Sequence, residues 1–211
     1  AYVINDAFMK FLFSEIALFQ AVFLRSIITV PPVLLMVWVT KVTLRNLAKQ
    51  DIRLIWLRVG AEICTTVAFL TALKYMPLAN VTAILQALPL AVTMAAALFL
   101  AEPIGWRRWS AILVGFVGVL IVVRPGLDGF NVYSLSALAA IIFITVREIA
   151  TRKLAQEVPT ITVVLSTAIG SAVFAGIMMV GAEWHAVSTS SWWLLIGAAF
   201  AVLIATLLSV M

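Results

Sequence analysis

The feature that most constrains this chain is a series of long apolar runs, separated by short polar or turn-forming segments. A helix needs roughly 20 apolar residues to cross the hydrocarbon core of a bilayer. These runs are too continuous for the strict alternation of a membrane β-barrel. Eight of them are found, at about residues 1–14, 18–40, 54–74, 78–100, 107–124, 131–151, 159–181 and 191–211. We therefore predict an all-α fold, a polytopic membrane helix bundle.

The composition supports the same conclusion. Of the 211 residues, 64% are hydrophobic and only 11% are charged, whereas ordinary soluble domains are about 45–50% apolar and about 25% charged. Most soluble enzymes and disordered tails are excluded on this basis. A disulfide scaffold is excluded as well, because Cys64 is the single cysteine of the sequence. The lipid bilayer is thus the first partner that the sequence predicts.

The lysines and arginines between the runs predict the orientation of the chain. Loops on the cytoplasmic side of a membrane protein carry an excess of these residues. One side of the predicted topology carries Lys41, Arg45, Lys49, Arg53, Arg107, Arg108, Arg152 and Lys153, and the other carries Lys74 and Arg124. We therefore expect a cytoplasmic N-terminus and a multi-pass protein of a bacterial inner membrane. Because topology accounts for the net charge of +5, no nucleic-acid partner is expected.

A weak internal repeat relates the first and sixth runs. At an offset of 142 residues, Asp6 aligns with Glu148 and Lys10 aligns with Arg152. The first run is predicted to cross outward and the sixth inward, so equivalent elements have opposite orientations. Inverted repeats place a substrate site near the membrane midplane and permit alternating access.

The repeat predicts how the chain is divided. We expect inverted five-helix repeats, the first at residues 1–129 and a partial second at residues 130–211. Eight of an expected ten spans would then be present. The sequence begins with Ala1 and ends at Met211 inside an apolar run, so we expect a piece of a longer chain.

Charged side chains inside the predicted spans are the candidate functional residues. A charge at the bilayer centre costs on the order of 2.5–3.5 kcal/mol on insertion scales, so it usually faces a cavity or a partner. Glu62 could bind a cationic group or exchange a proton, and its alternative role is to pair with an arginine. Arg147 could hold a carboxylate in a bidentate grip. We assign the substrate-binding site to four of these charged residues, Asp6, Glu62, Arg147 and Glu148, and to the uncharged Gln86 in the fourth span.

Two of these residues are neighbours in the sixth span, so we expect Arg147 and Glu148 to point to different sides of the helix. One would line the cavity and the other would pair within its own half. Their alternative role follows from their nearness to the cytoplasmic end of the span, where charges need no functional explanation.

Three further residues are given structural or gating roles. Lys10 lies four residues after Asp6 and could pair with it or extend to the interface. Arg25 is too deep to reach water easily, and its candidate partners are Asp6 and Glu62. Pro89 is expected to kink the fourth span and to free a carbonyl there, with a mere packing kink as the alternative.

The stretch from residue 72 to residue 126 resembles the EamA-like branch of the drug/metabolite transporter superfamily. The resemblance is carried by Met76-Pro77-Leu78-Ala79, Pro89, Ala101-Glu102, Gly115 with Gly118, and Arg124-Pro125-Gly126. It implies ten helices with both termini in the cytoplasm. The segment 147–152 is similar to the S-adenosylmethionine-uptake-like members of this branch. The resemblance is specific for the superfamily and uninformative about the substrate.

No catalytic constellation is found in the sequence. The single histidine, His185, lies in a predicted loop without cysteine or histidine partners, so neither a Ser/His/Asp set nor a metal site is expected. The Gly-x-x-Gly at residues 115–118 lies inside an apolar run and lacks the lysine of a phosphate-binding loop. We therefore expect no enzyme, no cofactor and no ATP-driven pump.

These observations predict a secondary-active transporter of small polar metabolites. The mixed charges suit a zwitterion or a cation such as an amino-acid derivative, moved by alternating access with proton coupling or by exchange. The alternative is a non-transporting membrane scaffold or assembly subunit, whose buried charges would be purely structural. A homodimer is an open alternative to a monomer.

Overall fold

The computed structural model describes residues 2–40, 48–101, 105–123, 132–155 and 157–210. Within these ranges the regular elements are all helices and no strand is found. The helices are α1 (Tyr2–Leu12), α2 (Leu18–Thr40), α3 (Lys49–Tyr75), α4 (Leu78–Leu85), α5 (Leu88–Phe99), α6 (Trp106–Val123), α7 (Val132–Arg152), α8 (Thr160–Met178) and α9 (Thr189–Val210). The predicted all-α fold is confirmed.

Six stretches of the described chain are long and apolar enough to cross a membrane, which makes this a multi-pass membrane protein. They are α2, α3, the combined stretch of α4 and α5, α7, α8 and the part of α9 from Thr189 to Thr206. The predicted first and fifth spans correspond to α1, which has 11 residues, and to α6, which has 18. The predictions for Glu102, Arg124 and the repeat boundary at residues 129 and 130 fall outside the described residues.

The predicted fourth span consists of two helices rather than one. Pro89 lies in the first turn of α5. A proline has no amide hydrogen to donate to the carbonyl four residues earlier, and its ring clashes with that carbonyl. That carbonyl belongs to Leu85, the last residue of α4. In the gap, the amides of Gln86 and Ala87 bond the carbonyls three residues back, at 3.3 and 3.1 Å. The helix is therefore interrupted in the middle of an apolar stretch.

Contacts group the residues into two compact units. The first unit comprises Ala1–Ile63 and Leu154–Met211, and the second comprises Cys64–Lys153. In the first unit, α2 packs on α8, α1 packs on α9, and α9 also contacts α2. In the second unit, α7 packs on α4 and α5, and α6 contacts both of these helices as well.

Small residues allow close packing in the first unit. A Cβ atom added to Gly197 of α9 would lie 2.7 Å from the ring of Phe8 in α1. In the same unit, Val33 of α2, Val164 and Leu165 of α8 and Leu203 of α9 form a buried apolar cluster. Glycine lets two membrane helices approach closely, and their van der Waals contacts then hold them together. These helices hold the polar side chains described next.

Candidate functional site

A buried chain of three polar side chains joins α1 to α2 in the first unit. The Arg25 guanidinium donates to the Asn5 side-chain oxygen at 3.0 Å, and the Asn5 amide donates to an Asp6 carboxylate oxygen at 3.0 Å. All three side chains are buried. Asn5 therefore bridges a cation and an anion, and in a low-dielectric interior such a network is strong when its members are paired.

Asp6 is one of the two partners that the sequence predicts for Arg25, and the structure links these two residues through Asn5. No site role was given to Asn5, although an asparagine beside an aspartate in an apolar helix is itself a signal of a polar core. Lys10 lies half-buried in the last turn of α1. Its predicted pairing with Asp6 stays a prediction.

Arg58 is the functional candidate that the sequence analysis missed. It is only 1% exposed, and its Nη1 donates to the hydroxyl of Thr167 in α8 at 2.8 Å. The third span was expected to begin near residue 54, which would place Arg58 beside the cytoplasmic loop. The helix instead begins at Lys49, so Arg58 lies about 13 Å along it at about 1.5 Å per residue.

A small polar cavity lies among α2, α3, α8 and α9, within the first unit. Its volume is about 40 Å³, enough for about one water molecule at the roughly 30 Å³ that each occupies in the liquid. Its polar lining is contributed by Arg25, Ser26, Thr29, Glu62, Thr167, Ser171 and Thr206. The structure thus brings Glu62 and Arg25, two of the predicted residues, to the wall of one cavity.

The hydroxyl groups in this wall are oriented by their own helices. Thr29 donates to the carbonyl of Arg25 and Thr206 donates to the carbonyl of Val202, both at 2.8 Å. A hydroxyl that has used its hydrogen in this way keeps only acceptor capacity. Together with the Glu62 carboxylate, these oxygens favour a ligand that donates hydrogen bonds, such as water or a protonated amine, and the Arg25 guanidinium in the same wall adds a positive charge beside them.

The second unit holds the other predicted site residues. Arg147 is buried and forms an ion pair with Glu148, with 2.7 Å between Nη2 and Oε1. The expectation that these two residues point to different sides of the helix was wrong. Neighbours in a helix leave the axis about 100° apart, but both side chains are long and flexible enough for their charged ends to meet. Gln86 and Pro89 lie at the exposed break between α4 and α5.

At the predicted outer side of the first unit, polar contacts join the α1–α2 turn and the start of α2 to the segment before α9 and the first turn of α9. The side chain of Gln20 donates to the carbonyl of His185 at 2.6 Å and accepts from the amide of the same residue at 3.1 Å. The carboxylate of Glu15 accepts hydrogen bonds from the hydroxyls of Ser191 and Ser188. These two bonds, that of Ser191 first, lower the pKa of Glu15 below its ordinary value of 4.5.

Comparison with known proteins gives a consistent result. The model of the EamA-like transporter family matches residues 1–124. The S-adenosylmethionine uptake transporter of Rickettsia bellii is 29% identical over 173 residues, which are 80% of this chain and 57% of the relative. The riboflavin transporter of Vibrio cholerae is 34% identical over 102 residues, which are 48% of this chain and 34% of the relative.

The fold matches that of a protein with a solved crystal structure, with a TM-score of 0.66 and 18% sequence identity. The match covers 96% of this chain and 79% of the other protein's chain. At that identity, the similarity concerns the fold alone. The match to the Rickettsia relative spans 57% of that protein's length.

Proposed function

Because this chain belongs to the EamA-like transporter family, we propose that it is a secondary carrier of small polar metabolites that works by alternating access. Its relatives include an S-adenosylmethionine uptake transporter and a riboflavin transporter, which supports a small metabolite as the substrate class. We propose a zwitterion or cation, such as an amino-acid derivative.

The observation that carries this proposal is the polar cavity of the first unit and the charges around it. Arg25 and Glu62 line the cavity, and Arg58 reaches Thr167, another residue of its wall. Charges at membrane depth are costly and usually mark a substrate or ion pathway. A packed scaffold could replace such residues with apolar ones of similar volume, often at no loss of stability.

Glu62 and Arg147 have the direct roles in this proposal. Glu62 takes up and releases the coupling proton or binds the cationic group of the substrate. Arg147 holds a substrate carboxylate, for which its pairing with Glu148 is the resting arrangement. Gln86 lies at the break between α4 and α5, where backbone groups are released from regular helical bonds. Asp6, linked to Arg25 through Asn5, completes the set on α1.

The proposed mechanism uses the inverted repeat. At the level of whole spans, the predicted second span is equivalent to the seventh, and the corresponding helices α2 and α8 pack on each other in the first unit. Contact between two equivalent helices supports a pseudo-two-fold axis in the membrane plane, as in transporters built from inverted repeats. We propose that rocking about this axis exposes the site alternately, in a bacterial inner membrane with the N-terminus in the cytoplasm.

The experiment is uptake by the full-length protein in liposomes. Wild type is compared with Glu62→Gln, which removes the charge at nearly constant volume, and with Glu183→Gln, which changes an exposed loop acid. Labelled S-adenosylmethionine, riboflavin and amino acids are offered with and without a pH gradient. We expect wild type and Glu183→Gln to respond to the gradient and Glu62→Gln to lose the response.

Three results would separate the alternatives. Uptake by Glu62→Gln with an unchanged pH response removes Glu62 from the coupling step. Uptake that ignores the gradient but is stimulated by internal substrate favours exchange. A folded wild-type protein that moves none of the substrates favours the scaffold hypothesis.

A further inference from the structure

The first unit contains a second, larger cavity, which the proposed transport mechanism does not use. It lies between α3 and α8, is open along one side and has a volume of about 530 Å³. Its walls are mostly isoleucines, valines and aromatic rings, among them Trp56, Val59, Val173 and Phe174. Because its walls are apolar, a crevice of this size in a membrane protein favours an apolar occupant.

One polar atom in this wall has no partner. Thr162, near the start of α8, is 6% exposed, and its hydroxyl makes no hydrogen bond. The neighbouring hydroxyl of Ser166 does not supply one, because it donates to the Thr162 carbonyl at 2.8 Å. A buried hydroxyl without a partner is rare and requires an explanation. Because Thr162 lines the crevice, an occupant that offers an acceptor at this end would provide it.

The same end of the crevice carries positive charge. The carboxylate of Asp51 accepts a hydrogen bond from the Ala155 amide at 3.3 Å, so α3 begins close to the segment that leads into α8. Lys49 and Arg53 are exposed in the first turns of α3. Basic residues at the membrane surface attract anionic headgroups, and basic pockets between membrane helices bind them.

The length and cross-section of the crevice indicate which kind of apolar occupant fits in it. The lining residues of α8 run from Thr162 to Ile177, which is about 22 Å at about 1.5 Å per residue. A volume of about 530 Å³ spread over this length gives a mean cross-section of about 24 Å². A helix with its side chains is about 10 Å across, or roughly 80 Å², so a further helix does not fit inside the crevice and could only cover its open side. A single extended hydrocarbon chain does fit inside it.

We propose that this crevice binds one acyl chain of an anionic phospholipid. The chain lies between α3 and α8, the ester carbonyl accepts a hydrogen bond from Thr162, and the phosphate lies beside Lys49 and Arg53. The lipid comes from the leaflet at the N-terminal ends of the two helices, which the distribution of basic residues predicts to be the cytoplasmic one. Trp56, at the same end, is suited to the interface between headgroups and hydrocarbon.

Native mass spectrometry of the full-length protein, released from detergent with added phosphatidylglycerol or phosphatidylcholine, tests this proposal. Wild type is expected to retain a phosphatidylglycerol molecule at concentrations roughly tenfold lower than phosphatidylcholine. Val173→Trp fills the crevice and is expected to abolish this retained lipid. Val117→Trp on α6 is the matched control, because its exposed fraction of 55% nearly equals the 56% of Val173, and it is expected to behave as wild type.

Two milder variants keep the proposal testable if Val173→Trp does not fold. Thr162→Val preserves shape and removes the donor, and should weaken retention of both lipids several-fold. Arg53→Gln should reduce the preference for phosphatidylglycerol and leave retention of phosphatidylcholine unchanged. Equal retention of the two lipids by wild type would overturn the proposal. So would unchanged retention in a folded Val173→Trp, which would indicate that the lipid binds elsewhere or that another part of the chain fills the crevice.

Discussion

The guanidinium of Arg58 in α3 donates a hydrogen bond to the hydroxyl of Thr167 in α8, with 2.8 Å between the two atoms. Thr167 in turn donates its own hydrogen to the carbonyl of Val163 at 2.8 Å. The hydroxyl therefore acts toward the arginine as an acceptor. This bond fixes a buried cation against a residue of the polar cavity and couples the positions of two helices.

Thr167→Val is expected to destabilise the protein. The substitution keeps the shape of the side chain and removes an acceptor from a buried, charged donor, which costs about 1–3 kcal/mol or more. Thermal unfolding of the purified protein in detergent measures the effect. The control is Thr145→Val, since the hydroxyl of Thr145 donates only to the carbonyl of Ile141 in its own helix. Equal shifts in the two variants would show that the contact between Arg58 and Thr167 contributes nothing specific.

Much of the fold could be predicted from the sequence because the bilayer imposes a simple rule on it. A span must be long and apolar, and such runs are visible in the residues themselves. The helix ends were harder to predict. The segment that opens α3, Lys49-Gln50-Asp51, is polar and was read as part of a connector, yet these residues continue the helix into the aqueous side. The burial of Arg58 has a different cause, the contact of α3 with Thr167 of α8, which the position of a residue along its own span does not predict.

The sequence could predict individual residues of the candidate site, but not how they are arranged around it. Depth in a span identified Asp6, Arg25 and Glu62 as costly charges, and all three are at least half-buried. Which of them share a cavity depends on how α2, α3, α8 and α9 are rotated and packed, and no local pattern encodes that. The pairing of Arg147 with Glu148 was missed for a different reason, because helical geometry constrains the Cβ atoms and leaves the ends of long side chains free.

Asn5→Ala is expected to be more damaging than its small size suggests. It removes both the acceptor of Arg25 and the donor of Asp6, so two buried charges lose a hydrogen bond at once. We expect a loss of roughly 2–4 kcal/mol in the free energy of unfolding, near or above the usual cost of one unsatisfied group. Asn80→Ala, at an exposed position at the start of α4, should cost less than about 1 kcal/mol. Chemical denaturation monitored by tryptophan fluorescence compares the two. Similar losses would argue that Asn5 does not bridge the charges.

The contact of Glu15 with Ser191 and Ser188 at the predicted outer side is expected to be sensitive to acid. The pKa of Glu15 is lowered by the hydrogen bonds from Ser191 and Ser188, so the folded state favours the ionised carboxylate. The stabilisation is fully present above the ordinary value of 4.5 and is lost as the pH falls through the lowered pKa of the folded state. In thermal unfolding between about pH 3 and pH 7, Glu15→Gln should show a flatter acid limb than wild type. Glu183→Gln serves as a control acid in the neighbouring loop, and an equal flattening there would rule out a specific role for Glu15.

Pro89→Ala tests whether the break in the fourth span serves transport. Alanine restores a donor for the Leu85 carbonyl and removes the ring that collides with it, so α4 and α5 should approach one continuous helix. We expect amide hydrogen exchange around Gln86 to slow by about tenfold, the unfolding temperature to stay level or rise, and the maximal uptake rate in liposomes to fall. Pro77→Ala is the matched control because Pro77 precedes α4 as its N-cap and interrupts no helix. Slower exchange with undiminished uptake would mean that the break is only a packing feature, whereas unchanged exchange would mean that tertiary contacts and not the proline hold the two helices apart.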